Sequence, residues 1–159
     1  MKASPLAVFL TILIILIVVT GLYTYLTPPY DGRTYPEGSF SGVQRASSTT
    51  EKVFFGPFSE DVRPQEIRII ILNFYSAAGY ASYSIPSTGL SGPLAPAQSN
   101  NMSEISGVTY TDLAQDEKIS DGDYITITFV HSGSESISYQ VSMVSIPYGI
   151  EFGRVTFYW

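Results

Sequence analysis

From Leu6 to Leu26 the chain reads LAVFLTILIILIVVTGLYTYL, with no charge and no internal proline. At about 1.5 Å rise per residue, roughly 20 such residues span a hydrocarbon core, and a backbone in lipid must satisfy its own hydrogen bonds. The run therefore predicts one helix over residues 1–27, a membrane anchor or filament core. Tyr23 and Tyr25 sit at its far end, where amphipathic rings favour an interface. Pro28-Pro29 then stop it, because proline lacks the N–H that a helix interior needs. A cleaved secretory signal is the alternative reading. Against it count the length of the apolar run, beyond the roughly 7–15 residues of such signals, and the lack of a small-x-small site after it.

Past the prolines the period changes. Residues 28–50 are rich in Pro, Gly, Ser and Thr without an apolar period, which reads as a linker or as an irregular first part of the domain, where Phe40 and Val43 pack. Residues 51–159 then read as strands. Lys52 to Phe58 is an aromatic-aliphatic run. Glu66 to Phe74 carries Ile67, Ile69, Ile70, Ile71 and Leu72, dense enough for a central strand. Gly79 to Ile85 alternates tyrosines with small residues. Tyr124 to Val130 sets Ile125, Ile127 and Phe129 on one face against Thr126 and Thr128 on the other. Ser136 to Ile146 alternates likewise, and Ile150 to Trp159 ends in Val-Thr-Phe-Tyr-Trp, either packed in its own sheet or against a neighbouring subunit. The predicted fold class is mainly β: a single N-terminal α-helix followed by an antiparallel β-sandwich, Ig-like or similar. Pro86 to Asn100, rich in Pro, Gly, Ala and Ser, reads as a long surface loop of the kind where binding often resides.

Charge sharpens this picture. Only Lys2 precedes the apolar run, so seven of the eight bases and all 14 acids lie beyond it. Lys2 alone favours a cytoplasmic N-terminus and a domain outside the membrane. An acidic domain repels phosphate backbones, so nucleic acid is not an expected partner. Without cysteine there is no disulfide and no thiolate chemistry. Charged residues make up 14% of the chain, below the usual quarter, with Ser, Thr, Tyr and Gly in their place. Such a surface suits an exterior or a filament wall.

Candidate chemistry is sparse. Asp112 to Asp123 fits a calcium-loop pattern in part, with Asp112, Asp116 and Asp123 at positions 1, 5 and 12 and the Lys118 carbonyl at 7. Position 3 is Ala114, which offers no oxygen, and position 6 is Glu117, where the turn wants glycine. The plainer alternative is a polar connection whose Asp121-Gly122 turns into the next strand. His131, the one histidine, is read as a solvated loop residue beside Ser132-Gly133 and supports no triad or zinc site by itself. No GxSxG, HExxH, P-loop or GxGxxG occurs, so no enzyme activity and no cofactor are expected. Asn101-Met102-Ser103 is an N-glycosylation sequon.

Lys2-Ala3-Ser4-Pro5 followed by an aliphatic helix resembles the start of archaeal type IV pilin-like proteins. The resemblance implies a short leader ending in Lys2 and Ala3, with Ser4 as the mature N-terminus. It covers about the first 25 residues, with a second foothold in the Asp-rich phrase from Asp112 to Asp123. Two departures belong to it. No apolar residue separates the alanine from Ser-Pro, and Pro28-Pro29 stop the helix earlier than in many pilins, which brings archaellum stator-type proteins within the resemblance. What it implies is a structural subunit of a surface filament, partnered with itself in a helical homo-polymer. The alternatives are a single-pass anchored domain that binds an S-layer, glycan or other surface protein, and an accessory subunit of a membrane complex.

Overall fold

The computed structural model describes residues 36–74, 79–85, 91–133 and 137–159, all within the compact unit that spans Tyr35–Trp159. Ten strands follow in order: β1 (Gly38–Ser47), β2 (Thr50–Phe58), β3 (Ile67–Asn73), β4 (Gly79–Ser84), β5 (Gly92–Leu94), β6 (Pro96–Asn100), β7 (Ile105–Thr111), β8 (Tyr124–Phe129), β9 (Ser138–Ser145) and β10 (Glu151–Tyr158). They form two five-stranded sheets, ordered β1-β2-β8-β7-β5 and β10-β9-β3-β4-β6, with every pairing antiparallel.

Period-two alternation builds the core. Val53, Phe55, Ile125, Ile127, Val108 and Tyr110 point inward from the first sheet, and Ile67, Ile69, Ile71, Ala81, Tyr139, Val141 and Met143 from the second. Each such aliphatic or aromatic side chain contributes about 1.5–3 kcal/mol by leaving water. On the outer face of the first sheet Thr50 pairs with Thr128 and Thr126 lies between Thr109 and Lys52, whose ammonium sits 4.3 Å over the Tyr124 ring, so that face is polar. The central position expected for the isoleucine-rich strand is where β3 lies, between β9 and β4.

Three expectations need correction. The class that joined an N-terminal α-helix to the sandwich gives way to a mainly β fold: among the described residues there is no α-helix, only a 3-10 turn at Pro64–Glu66, and no helix long and apolar enough to cross a membrane. Residues 1–27, on which that helix was read, lie outside the described residues. Of the two readings of residues 28–50, the linker gives way from Gly38 on to the first part of the domain: β1 forms a hairpin with β2, pairing Val43 with Val53 and Ser47 with Thr50, and Phe40 and Val43 pack against the core. The apolar residues of β1 are too far apart to show a period, and pairing with the strongly patterned β2 supplies what propensity does not. The loop read over Pro86–Asn100 contains β5 and β6, which switch from one sheet to the other at Ala95. Its Pro and Ala content hid two edge strands, where proline is tolerated. β7 was missed as well, because Gly107 and the flanking Ser and Thr interrupt its alternation.

Two of the four sheet edges meet. β1 and β10 approach where Phe58, the β2 residue opposite Gly38, packs edge-on against Phe152 at 6.0 Å and where the Arg45 guanidinium lies 4.8 Å over the ring of Trp159, just past β10. The C-terminal strand packs in its own sheet, with Phe157 and Trp159 buried and Tyr158 exposed. At the other side β6 is exposed along all five of its residues.

Candidate functional site

Two clusters sit at opposite ends of β8. At its start, the connection from β7 is sewn together by carboxylates. Asp112 and Asp123 are 5% and 1% exposed. The Gln115 and Glu117 N–H groups donate to Asp112 Oδ1 and Oδ2 at 2.6 and 3.2 Å. Both residues adopt the left-handed conformation, at φ 56° and 61°, which turns their amides toward the carboxylate. Asp123 Oδ1 accepts from the Leu113 N–H at 2.8 Å, and Oδ2 accepts from the Ser120 N–H at 2.8 Å and the Tyr110 hydroxyl at 3.2 Å. Asp116, which is exposed, takes the Lys118 N–H and the Ser120 hydroxyl, each at 3.0 Å. The loop is tied to the sandwich by Gly122 N–H to Phe55 O at 3.1 Å and by Ile119 N–H to Val62 O at 3.0 Å. Burial, and then the negative Asp123 beside it, push the Tyr110 hydroxyl far above its ordinary pKa.

These contacts show what Asp112, Asp116 and Asp123 do in the fold. Their oxygens accept from N–H and O–H donors of the loop, one bond at each oxygen of Asp112 and Asp116 and three in all at Asp123, so these carboxylates hold the connection together. Among the described residues no group of three or more His, Cys, Asp or Glu is placed to hold a metal ion. Beside the loop runs a groove of about 410 Å³ with Glu60, Asp61, Asp116 and Asp121 on its walls. Lys118 reaches across it to Asp61, and that contact raises the Lys118 pKa.

At the far end of β8 lies a second, more apolar cluster. Phe129 stacks on Trp159 with ring centres 4.1 Å apart and meets Tyr139 edge-on at 5.1 Å. Trp159 is held by paired backbone bonds with Ile137, at 2.7 and 3.0 Å. These residues, with Glu104, His131 and Ser132, line a cavity of about 100 Å³. Among the described residues Tyr139 Oη and Glu104 Oε2, buried there, have no hydrogen-bond partner. Burial, and secondarily the charge of Glu104, push the Tyr139 hydroxyl up to about 12. His131 is exposed at the rim, as expected of a loop residue. Sequence reasoning singled out His131 but neither Glu104 nor Tyr139, since one lies outside the recognised strands and the other reads as ordinary core.

Asn101 follows β6 with φ 51° and is exposed, while Met102 beside it is buried. Lys2, Ala3 and Ser4 lie outside the described residues.

No protein-family model matches the chain, and no curated protein matches it. Among solved structures the fold is similar to the archaellum periplasmic stator protein FlaG from Sulfolobus acidocaldarius, at 16% identity and a TM-score of 0.46, over 77% of this chain and 100% of that one. It is also similar to the archaellum periplasmic stator protein complex FlaF and FlaG from the same organism, at 14% identity and a TM-score of 0.41, over 82% of this chain and 96% of that one.

Proposed function

We propose that this chain is an accessory protein of an archaeal surface appendage of archaellum or pilin-like kind, acting at the cell surface by protein contact and not by catalysis. The observation that carries the proposal is β6. It is a sheet edge, exposed at every residue, and its Pro-Ala-Gln-Ser-Asn sequence holds no charge to repel an incoming strand. Exposed strand edges offer unpaired N–H and C=O groups to a partner's strand, and proteins that avoid such pairing protect them with charge, proline, bulges or cover; β6 carries Pro96 and the register shift opposite Ser82 and Tyr83 at its start, and no charge from Ala97 to Asn100. The class of appendage comes from Lys2-Ala3-Ser4-Pro5, not from the structural likeness. Its partner in this reading is another protein of the surface assembly.

A second reading, a subunit of a pilin-like filament, is favoured by the same Lys2-to-Pro5 residues. N-terminal sequencing of the protein from sheared surface material separates the two. A mature chain beginning at Ser4 within polymerised material favours the filament subunit. The accessory role is tested with Gln98→Lys, which puts a charge on β6 at an exposed position where stability changes by no more than about 0.5 kcal/mol. The variant is expected to fold normally and to lose its co-purifying surface partner. Full retention of that partner would overturn the β6 contact.

A further inference from the structure

The cavity beside Trp159 contains a chemical mismatch. Tyr139 is 0% exposed, yet among the described residues its hydroxyl has no partner, and Glu104 Oε2, buried at the same cavity, has none either. A buried carboxylate oxygen requires a donor, and leaving both groups unpaired costs more than most native folds tolerate. The cavity, at about 100 Å³, is larger than the roughly 10–15 Å³ that one water needs on the same measure, and Phe129, Ile137 and Trp159 give it apolar walls.

We infer that this cavity is a binding site for a primary ammonium group on an alkyl stem, as presented by a lysine side chain of a partner protein. The stem packs on the apolar wall while the head reaches polar atoms, the arrangement in which lysine side chains cover apolar surface. The ammonium has three donors, and Glu104 Oε2 and Tyr139 Oη supply two acceptors, with the third donor directed to solvent at the His131 rim. A guanidinium brings five donors to the same two acceptors and fits less well. Glu104 excludes anions. The inference deepens the accessory reading and rests on it for the source of the amine, because a protein partner is what would bring a lysine to the surface.

Trp159 is the chain's single tryptophan and lines the cavity, so its fluorescence reports occupancy directly. The full-length chain is titrated with Nα-acetyl-lysine methylamide, with the norleucine analogue that lacks only the ammonium, and with propylamine. The lysine compound is expected to change Trp159 emission saturably and to bind about tenfold more tightly than the norleucine analogue, the factor set by one charge-assisted contact. Glu104→Gln should reduce it to the norleucine level, and Tyr139→Phe, which keeps the ring, should weaken it severalfold. Propylamine binding as tightly as the lysine compound would assign the site to small free amines; weaker binding would assign it to a protein lysine. Equal binding of lysine and norleucine compounds, or no saturable change at millimolar concentration, overturns the inference. Such a failure leaves the β6 contact standing, since Gln98→Lys tests that separately.

Discussion

Replacing Asp123 separates a structural staple from a cation site. Its carboxylate holds the Leu113 and Ser120 N–H groups at 2.8 Å and the Tyr110 hydroxyl at 3.2 Å, and it is 1% exposed. Hydrogen bonds to a charged group contribute about 1.5–3 kcal/mol each, but the three are not equally lost in Asp123→Ala. Tyr110 retains the Lys118 carbonyl at 3.1 Å as an acceptor. Leu113 is 60% exposed, so water can reach its amide once the loop opens. What remains is the loss of the loop's inner anchor, worth about 3 kcal/mol, or a fall in Tm of roughly 10 °C for a domain of this size. Asp123→Asn keeps one acceptor and turns an NH₂ toward the remaining donors, so about half that loss is expected. Urea unfolding followed by circular dichroism measures both, with millimolar calcium or with chelator. Neither addition should move the midpoint. A loss below about 0.5 kcal/mol for Asp123→Ala, or a calcium-dependent rise in wild-type stability that the variant lacks, would refute the staple and restore the calcium loop.

Three further outcomes are expected. A Cβ at Gly133 would fall 2.8 Å from Trp159 Cδ2, so Gly133→Ala should displace the indole and red-shift its emission without removing the sheet signal in circular dichroism. Burial raises Tyr139 to about 12 and Tyr110 further, from an ordinary 10.0, so above that pH the unfolded chain releases protons that the folded one keeps. The stability given by these neutral phenols is complete below pH 10 and is lost as pH rises from 10 through 12, which phenolate absorbance and urea midpoints over that range would follow. Asn101, exposed in its sequon, is expected to carry a glycan in protein isolated from the native surface, visible as added mass that Asn101→Gln removes.

The alternating strands were legible because the core itself imposes the alternation. Ile125, Ile127 and Phe129 point inward and Thr126 and Thr128 outward because β8 lies inside its sheet with one face on the core. The same rule failed at the edges. β1, β5 and β6 bury little, so nothing constrains their polarity, and Gly, Pro and Ser there read as linker and loop. The Asp112–Asp123 segment was legible as a polar stretch between strands, with a partial calcium loop as the alternative reading. Its internal stitching was not, because left-handed Gln115 and Glu117 carry no composition signal. Glu104 and Tyr139 are 35 residues apart in number, and only the packing of β7 against β8 and of β9 across from them brings both to one cavity.

The most direct test of a surface accessory role through β6 is photo-crosslinking in intact cells, with a photoreactive phenylalanine analogue at Gln98. A specific crosslink to another protein of the surface appendage, abolished by a neighbouring Ala97→Lys, is the expected result. A chain that stays uncrosslinked at Gln98 while remaining folded at the cell surface would contradict the proposal.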